Sequence, residues 1–206
     1  GFINVLQAAR ENGVKRVVYA SSAAVYGVPK SLPLDETSAT GPISPYGLEK
    51  LIDEQYAALF HLLYGTNCMG LRYFNVYGPR QDPTSQYAGV ISKFAAGMRE
   101  GKPLRIFGTG QQTRDFVYVK DIAKVNVAAL GSDTPGTVAV GTGRSVTLLD
   151  LVDSLGRCMG KKAEVTHEPP VTGDIQESAM IPKKLKSTLG IVPATSLDEG
   201  LKSLVG

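Results

Sequence analysis

Apolar and polar positions alternate in two rhythms along the start of the chain. Phe2, Ile3, Leu6 and Ala9 recur at helical spacing until Gly13 interrupts them, and "KRVVYASS" (15–22) then runs nearly apolar. A three-to-four-residue step describes a helix with one buried face, and a short continuous run after it describes a strand covered on both sides. The rhythm then repeats. Leu48, Leu51, Ile52, Tyr56, Leu59, Leu62 and Leu63 predict an amphipathic helix over 46–64 that stops before Gly65, and "CMGLRYFNVYG" (68–78) predicts the next strand. Parallel strands need helical crossovers, so this succession predicts a doubly wound α/β layer. Helices are further predicted at 87–99, 120–130, 147–159 and 197–205, and strands in "PLRIFGTG", "RDFVYV", "GTVAVGTG" and "AEVTHEP".

The first helical pattern is already under way at residue 1 with no initiating cap, so the chain is expected to begin inside a larger fold. Prolines and glycines at 78–83 and 169–173 mark expected crossings between two regions. The division predicted from them is a Rossmann-like part over 1–78, rejoined by 115–131, and a smaller substrate region over 79–114 and 132–206.

Composition narrows the function classes. The 206 residues, 43% apolar and 20% charged, can bury a substantial core, and a net charge of +3 without any dense Lys/Arg run argues against a nucleic-acid or membrane partner. Acidic small molecules, phosphates included, remain candidate ligands. Cys68 and Cys158 lack metal-type spacing and are expected to be buried structural thiols, which fits a reducing cytoplasm. No apolar run is long enough for a membrane span, and the opening residues do not form a signal peptide. No metal site is expected.

The candidate chemistry begins at "ISPYGLEKLIDEQ" (43–55). Ser44 can cap the helix and Pro45 suits its first position, placing Tyr46 in the first turn and Lys50 one turn later on the same face. An ammonium beside a phenol favours the ionised form, so the pair can serve as a general base. The same spacing also describes an ordinary packed pair. "YASSAAVYG" (19–27) shifts the balance, because it lies at the C-terminal end of a predicted strand, where open α/β sheets place ligands, and offers the hydroxyls of Ser21 and Ser22. His61 and His167 are expected to be structural or solvent-facing.

Together with "LRYFNVYGPRQDP" (71–83), "RIFGTGQQTRDFVYVKDIA" (105–123) and "GDIQESA" (173–179), these elements resemble, in order, the extended short-chain dehydrogenases/reductases that act on nucleotide sugars. The resemblance implies a Rossmann-like α/β fold, NAD as cofactor, and a UDP-sugar 4-epimerase working through a 4-keto sugar. It also implies a homodimer formed through the helix at 46–64. It assigns Tyr46 as base, Lys50 as its partner and ribose contact, and Ser22 as the hydroxyl that orients substrate. Ala20, Ser21, Tyr46, Lys50 and Tyr73 would face the cofactor. Ser22, Ala23, Tyr46, Asn75, Gly89, Val90, Phe94, Ile106, Arg114, Asp174 and Ser178 would face the substrate, with Phe94 near the uracil and Arg114 on the diphosphate.

Five positions refine the resemblance. Ala23 and Ala24 stand where family dehydratases carry an acidic pair, which favours epimerisation, although reduction or decarboxylation stays open. Ser178 stands at a position that is bulky in members restricted to plain hexoses and small in those accepting N-acetylated sugars, implying UDP-GlcNAc/UDP-GalNAc capability. Val171 and Met180 replace a nucleotide-binding arginine and an aspartate usual in the family. The family's GxxGxxG turn does not occur in the chain, and "GTGQQTR" (108–114) is no substitute, because it is expected to link two strands. A non-catalytic sugar-nucleotide-binding protein is the reading that this difference leaves open.

Overall fold

The computed structural model describes residues 1–85, 88–171 and 173–205. In chain order it contains α1 (Phe2–Glu11), β1 (Val17–Ser22), a single 3-10 turn (Ala23–Tyr26), α2 (Pro45–Tyr64), β2 (Cys68–Tyr73), β3 (Asn75–Tyr77) and α3 (Val90–Glu100). There follow β4 (Leu104–Phe107), β5 (Thr113–Tyr118), α4 (Val119–Leu130), β6 (Gly136–Val140), β7 (Ser145–Thr147), α5 (Leu148–Met159), β8 (Val165–Glu168), α6 (Lys183–Leu189) and α7 (Leu197–Val205).

The helix starts and stops follow local chemistry. Ser44 Oγ accepts the Gly47 N–H at 3.1 Å with Pro45 at the first helical position, and Gly65, at φ 67°, closes α2 in the left-handed conformation that glycine adopts without penalty. Thr147 caps α5 in the same manner through the Asp150 N–H. The helix expected at 87–99 begins instead at Val90, behind the Gly89 cap; residue 87 lies outside the described residues.

β1, β2 and β6 form a parallel sheet in the order β1-β2-β6. β6 belongs to the segment expected in the substrate region, yet it pairs with β2 at the centre of the Rossmann-like layer. The strand expected over 68–78 is two strands. At Phe74 the chain leaves the first sheet: its N–H donates to the Val140 carbonyl, its ring enters the core, and β3 continues parallel to β5 in a separate sheet with β7. β4 and β8 pair parallel in a third.

Two apolar cores result. One joins the β1-β2-β6 sheet to α4 and α6 through Met69, Leu71, Val117, Val125, Val138 and Leu185. The other joins α3, α5 and α7 to β4 and β5 through Ile91, Phe94, Ile106, Leu151, Leu155 and Leu201. Cys68 is buried beneath α1 and α2, whereas Cys158 is only partly covered, contrary to the expectation that both thiols are enclosed. No helix of the described residues is long and apolar enough to cross a membrane.

A buried ionic cluster ties α2 to the sheet. Glu54 of α2 receives Arg72 of β2 in a two-pronged contact, Nε at 2.9 Å and Nη2 at 2.7 Å, and the Ser21 hydroxyl donates to the same carboxylate. Both ion-pair partners are almost entirely buried. Burial works against the charged guanidinium, but the bonds to Glu54 outweigh it, and Arg72 holds its proton more tightly than an ordinary arginine. Its guanidinium also stacks 4.9 Å from the Tyr26 ring centroid. Removing one partner leaves the other charge buried and unpaired, so Glu54→Ala is expected to lower stability by about 3–5 kcal/mol. Urea unfolding measures this, and a loss below ~1 kcal/mol, the range of an exposed pair, would contradict it.

Candidate active site

A cleft runs between the two cores in two chambers that meet at Arg114, Gly173 and Asp174. The first chamber, about 430 Å³, is walled by Ser22, Ala23, Ala24, Tyr73, Asn75 and Ser178, with Leu34, Ile43 and Phe74 behind them. The second, about 640 Å³, is largely apolar, with Val90, Phe94, Leu104, Ile106, Leu148 and Val171 in its wall.

The end of β1 and the start of α2 shape the first chamber. Ser22 Oγ accepts the Ala24 N–H at 3.1 Å, which turns the strand sharply into the 3-10 turn. Gly27 ends that turn at φ 63°, where a Cβ would lie 1.9 Å from the Gly41 carbonyl oxygen. α2 then starts against the turn. A Cβ on Gly47 would lie 2.7 Å from the Ala24 carbonyl oxygen, so only glycine lets the helix approach this closely.

Tyr46, one residue earlier, is 45% exposed and is not part of the chamber wall, which Ser44 lines. Lys50 lines a different groove with Phe2, Ala20 and Asp53, and its Nζ donates to Asp53 Oδ2 at 3.2 Å. The geometry therefore groups Ser22 with the cleft and Lys50 with Ala20 in a neighbouring groove, with Tyr46 on the helix turn between Ser44 and Lys50. Ser21, assigned to the cofactor from sequence, points its hydroxyl at Glu54 and is buried in the ionic cluster. Its hydroxyl is committed to that carboxylate in this structure.

Arg114 stands at the junction of the chambers. It donates to the Asp174 carboxylate at 2.7 Å and to the carbonyls of Ile175 and Thr113 at 2.6 and 2.8 Å. Its neighbour Asp115 is fully buried and accepts from the backbone of Thr142 and Gly143 and from the Thr142 hydroxyl. Burial pushes this carboxyl above the usual carboxylate range, and those hydrogen bonds oppose the rise. Asn75 Nδ2 reaches the Asp115 carbonyl at 3.4 Å. The Tyr73 hydroxyl donates to Asn126 at 2.9 Å, and burial raises the phenol above its ordinary value. Ser178 is held by its backbone, its N–H donating to Thr113 Oγ1 and its carbonyl accepting from Ser145.

The remaining assignments separate. Val90, Phe94 and Ile106 line the second chamber, but Phe94 and Ile106 are 5% and 1% exposed and present little more than an edge. Gly89 lines a small third cavity with Asn75 and Gln81. Val171 faces the second chamber, while Met180 packs in the core and bridges to Leu34. Residues 108–112 join β4 to β5 and open no helix. His167 Nδ1 lies 2.8 Å from the Gly108 carbonyl, and His61 Nδ1 lies 3.2 Å from that of Thr66, both away from the cleft. Gly47, Asp115 and Gln112 were not singled out from sequence. A glycine in the first turn of an otherwise regular helix was the available signal for a close backbone approach.

The profile of the NAD dependent epimerase/dehydratase family matches residues 1–141. The chain belongs to this family. A relative from Methanocaldococcus jannaschii, described as a putative UDP-glucose 4-epimerase, is 43% identical over all of this chain and 67% of its own length. Among solved structures, the UDP-N-acetylglucosamine 4-epimerase of Methanobrevibacter ruminantium M1, in complex with UDP-N-acetylmuramic acid, superposes with a TM-score of 0.96 at 36% identity. The UDP-glucose 4-epimerase of Thermotoga maritima, with UDP-glucose, gives 0.94 at 38%. Each comparison covers 99% of this chain and 66% of the other, so the chain spans about two thirds of the length of these family members.

The contact of α2 with the 3-10 turn yields a test within this family fold. Alanine is the better helix former, yet at position 47 its methyl collides with the Ala24 carbonyl. Gly47→Ala is expected to destabilise by about 1–3 kcal/mol, read as a lower thermal midpoint. An unchanged or raised midpoint would contradict the close approach.

Proposed function

We propose that this chain carries the substrate-handling part of an NAD-dependent UDP-sugar 4-epimerase. The observation that carries the reading is the joined cleft. A hydroxyl-lined chamber and an apolar chamber meet at one guanidinium, which matches the sequence of sugar, diphosphate and base in a nucleotide sugar. The similar solved structures support it, since both are UDP-sugar 4-epimerases. Ala23 and Ala24 in the chamber wall supply no acid or base for eliminating water, which favours epimerisation over dehydration.

In this reading the cofactor side is formed by 1–78 with 115–131, joined by β6, and the substrate side by 79–114 and the rest of 132–206. The chemistry that bound NAD would supply is the acceptance of hydride from the sugar C4 and its return. The groove at Ala20 and Lys50, about 620 Å³ beside the end of β1, fits part of such a cofactor. Ala20 and Lys50, with Tyr73 from the adjoining chamber, are the residues that would hold it.

Tyr46 takes the proton of the sugar 4-hydroxyl and returns it when the ketone is reduced. Lys50 exchanges its Asp53 contact for the cofactor ribose and places its charge near that phenol. Ser22 donates to the reacting oxygen from a fixed strand end. Asn75 and Arg114 hold the diphosphate, with Asp174 released toward the nucleotide ribose, and Val90, Phe94 and Ile106 flank the base. Val171 offers no donor, and Arg114 is the cation that lines both chambers, where the diphosphate would lie.

Two further parts of the reading have separate support. The outer face of α2 exposes Leu48, Ile52, Leu59, Leu62 and Leu63, an apolar stripe suited to a homodimer. The small Ser178 at the sugar end leaves room for an N-acetyl group.

Product analysis by NMR with UDP-glucose and UDP-GlcNAc tests the reaction: C4 epimers are expected, and reduced, decarboxylated or no products would reject it. Tyr46→Phe is expected to lower kcat by about 10²–10⁴-fold, the usual worth of a general base, with UDP affinity within twofold (~0.4 kcal/mol) of the parent. Ser178→Tyr is expected to depress turnover of UDP-GlcNAc relative to UDP-glucose. An unchanged ratio would remove Ser178 from the specificity argument.

A further inference from the structure

Among the polar side chains that line the second chamber, Lys93, Lys102 and Arg105 are exposed, and Gln112 is a buried one that neither the ionic clusters nor the proposed chemistry uses. Gln112 is 5% exposed, lines the chamber, and sits in the turn between β4 and β5. Its Nε2 donates to the Phe107 carbonyl at 2.7 Å, and its backbone carbonyl accepts the Leu148 N–H at 3.2 Å. The carbonyl of Phe107 can only accept, so the nitrogen end of the amide must face it, and the orientation of the side chain follows. Among the described residues no group donates to Oε1, and this atom is not among those sealed away without a partner. A nearly buried amide, fixed through its nitrogen on a residue whose backbone is itself tied to Leu148, therefore presents an unused acceptor to a largely apolar chamber.

We propose that Gln112 reads the base of the bound nucleotide: Oε1 accepts the ring N–H of a uracil-type imide and disfavours cytosine. This rests on the UDP-sugar reading and deepens it. Cytosine has a bare ring nitrogen where uracil has N3–H, so it would set acceptor against acceptor in a site that excludes water. Arg114 and Asp174 lie at the junction with the first chamber, where the proposed function gives them to the diphosphate and the ribose, and Lys93, Lys102 and Arg105 offer no acceptor. The aliphatic and aromatic wall supplies area but cannot distinguish two pyrimidines of the same shape.

Calorimetric titration of UDP and CDP into the parent protein and Gln112→Met tests this. The parent is expected to favour UDP by about tenfold or more, and Gln112→Met to lose that preference through weaker UDP binding with CDP binding unchanged. If the parent prefers UDP and the variant keeps the same preference, Gln112 is not the reader while the UDP-sugar assignment stands. If the parent binds neither nucleotide, the assignment itself fails and takes this inference with it. A measurement on the parent alone covers a variant that does not fold. With ¹⁵N-uracil UDP bound, the N3 imino proton is expected to show a nuclear Overhauser contact to the Gln112 side-chain amide, and its absence overturns the proposal.

Discussion

The bidentate pair between Arg72 and Glu54 is the constraint on which the arrangement of the site depends. Both charges are withdrawn from water, and such a pair is sustained only when its geometry is good and its remaining lone pairs are used. Here Ser21 uses one of them and the Tyr26 ring covers the guanidinium. The four groups come from β1, the 3-10 turn, α2 and β2, so the cluster fixes the rotation of α2 relative to the strand end that carries Ser22. A helix held only by apolar contacts could slide by part of a turn at small penalty. One held by a two-pronged ion pair cannot, and the position of Tyr46 and Lys50 follows from that.

A second buried carboxylate does similar service on the opposite side of the cleft. Asp115 gathers the backbone at Thr142 and Gly143 while its own carbonyl meets Asn75, and the preceding residue of β5, Arg114, is therefore held where it faces both chambers. Asp121, at the start of α4, accepts from the N–H groups of Ala194 and Thr195 and draws the C-terminal segment onto the same strand end. Burial alone would raise the Asp121 carboxyl, but the bonds from Thr195 and Lys124 outweigh it and the pKa lies below the ordinary value. Polar anchors of this kind determine where two independently packed cores abut, and the cleft is the space they leave.

Much of the fold was legible because its signals are local. The apolar step of α2, its Ser-Pro start and its Gly65 stop, and the uninterrupted apolar run of β1 each depend on neighbours a few residues away. The break at Phe74 was not legible, since "RYFNVY" reads as one continuous strand and only the Val140 carbonyl and the β5 partner divide it. The same holds for β6, whose place beside β2 is a matter of pairing across the sheet. Within the site, the motif residues Ser22, Asn75, Arg114, Asp174 and Ser178 do converge on one cleft. Ser21 does not, because its alternation on β1 turns it toward Glu54, and Phe94 is claimed mostly by the core.

By itself, the sequence determined the α/β class and the order of most elements, since periodicity and caps are short-range properties of the chain, and the resemblance of its motifs to a family supplied a set of residues suited to a nucleotide-sugar site; α6, β7 and the break at Phe74 were not among the expected elements. Tertiary structure alone decided which of those residues share a cavity, that Lys50 and Ala20 line a groove distinct from the one holding Ser178, and that Gln112 keeps an open acceptor. Those outcomes depend on distances between segments far apart along the chain, set by buried ion pairs and close backbone contacts that no local pattern encodes.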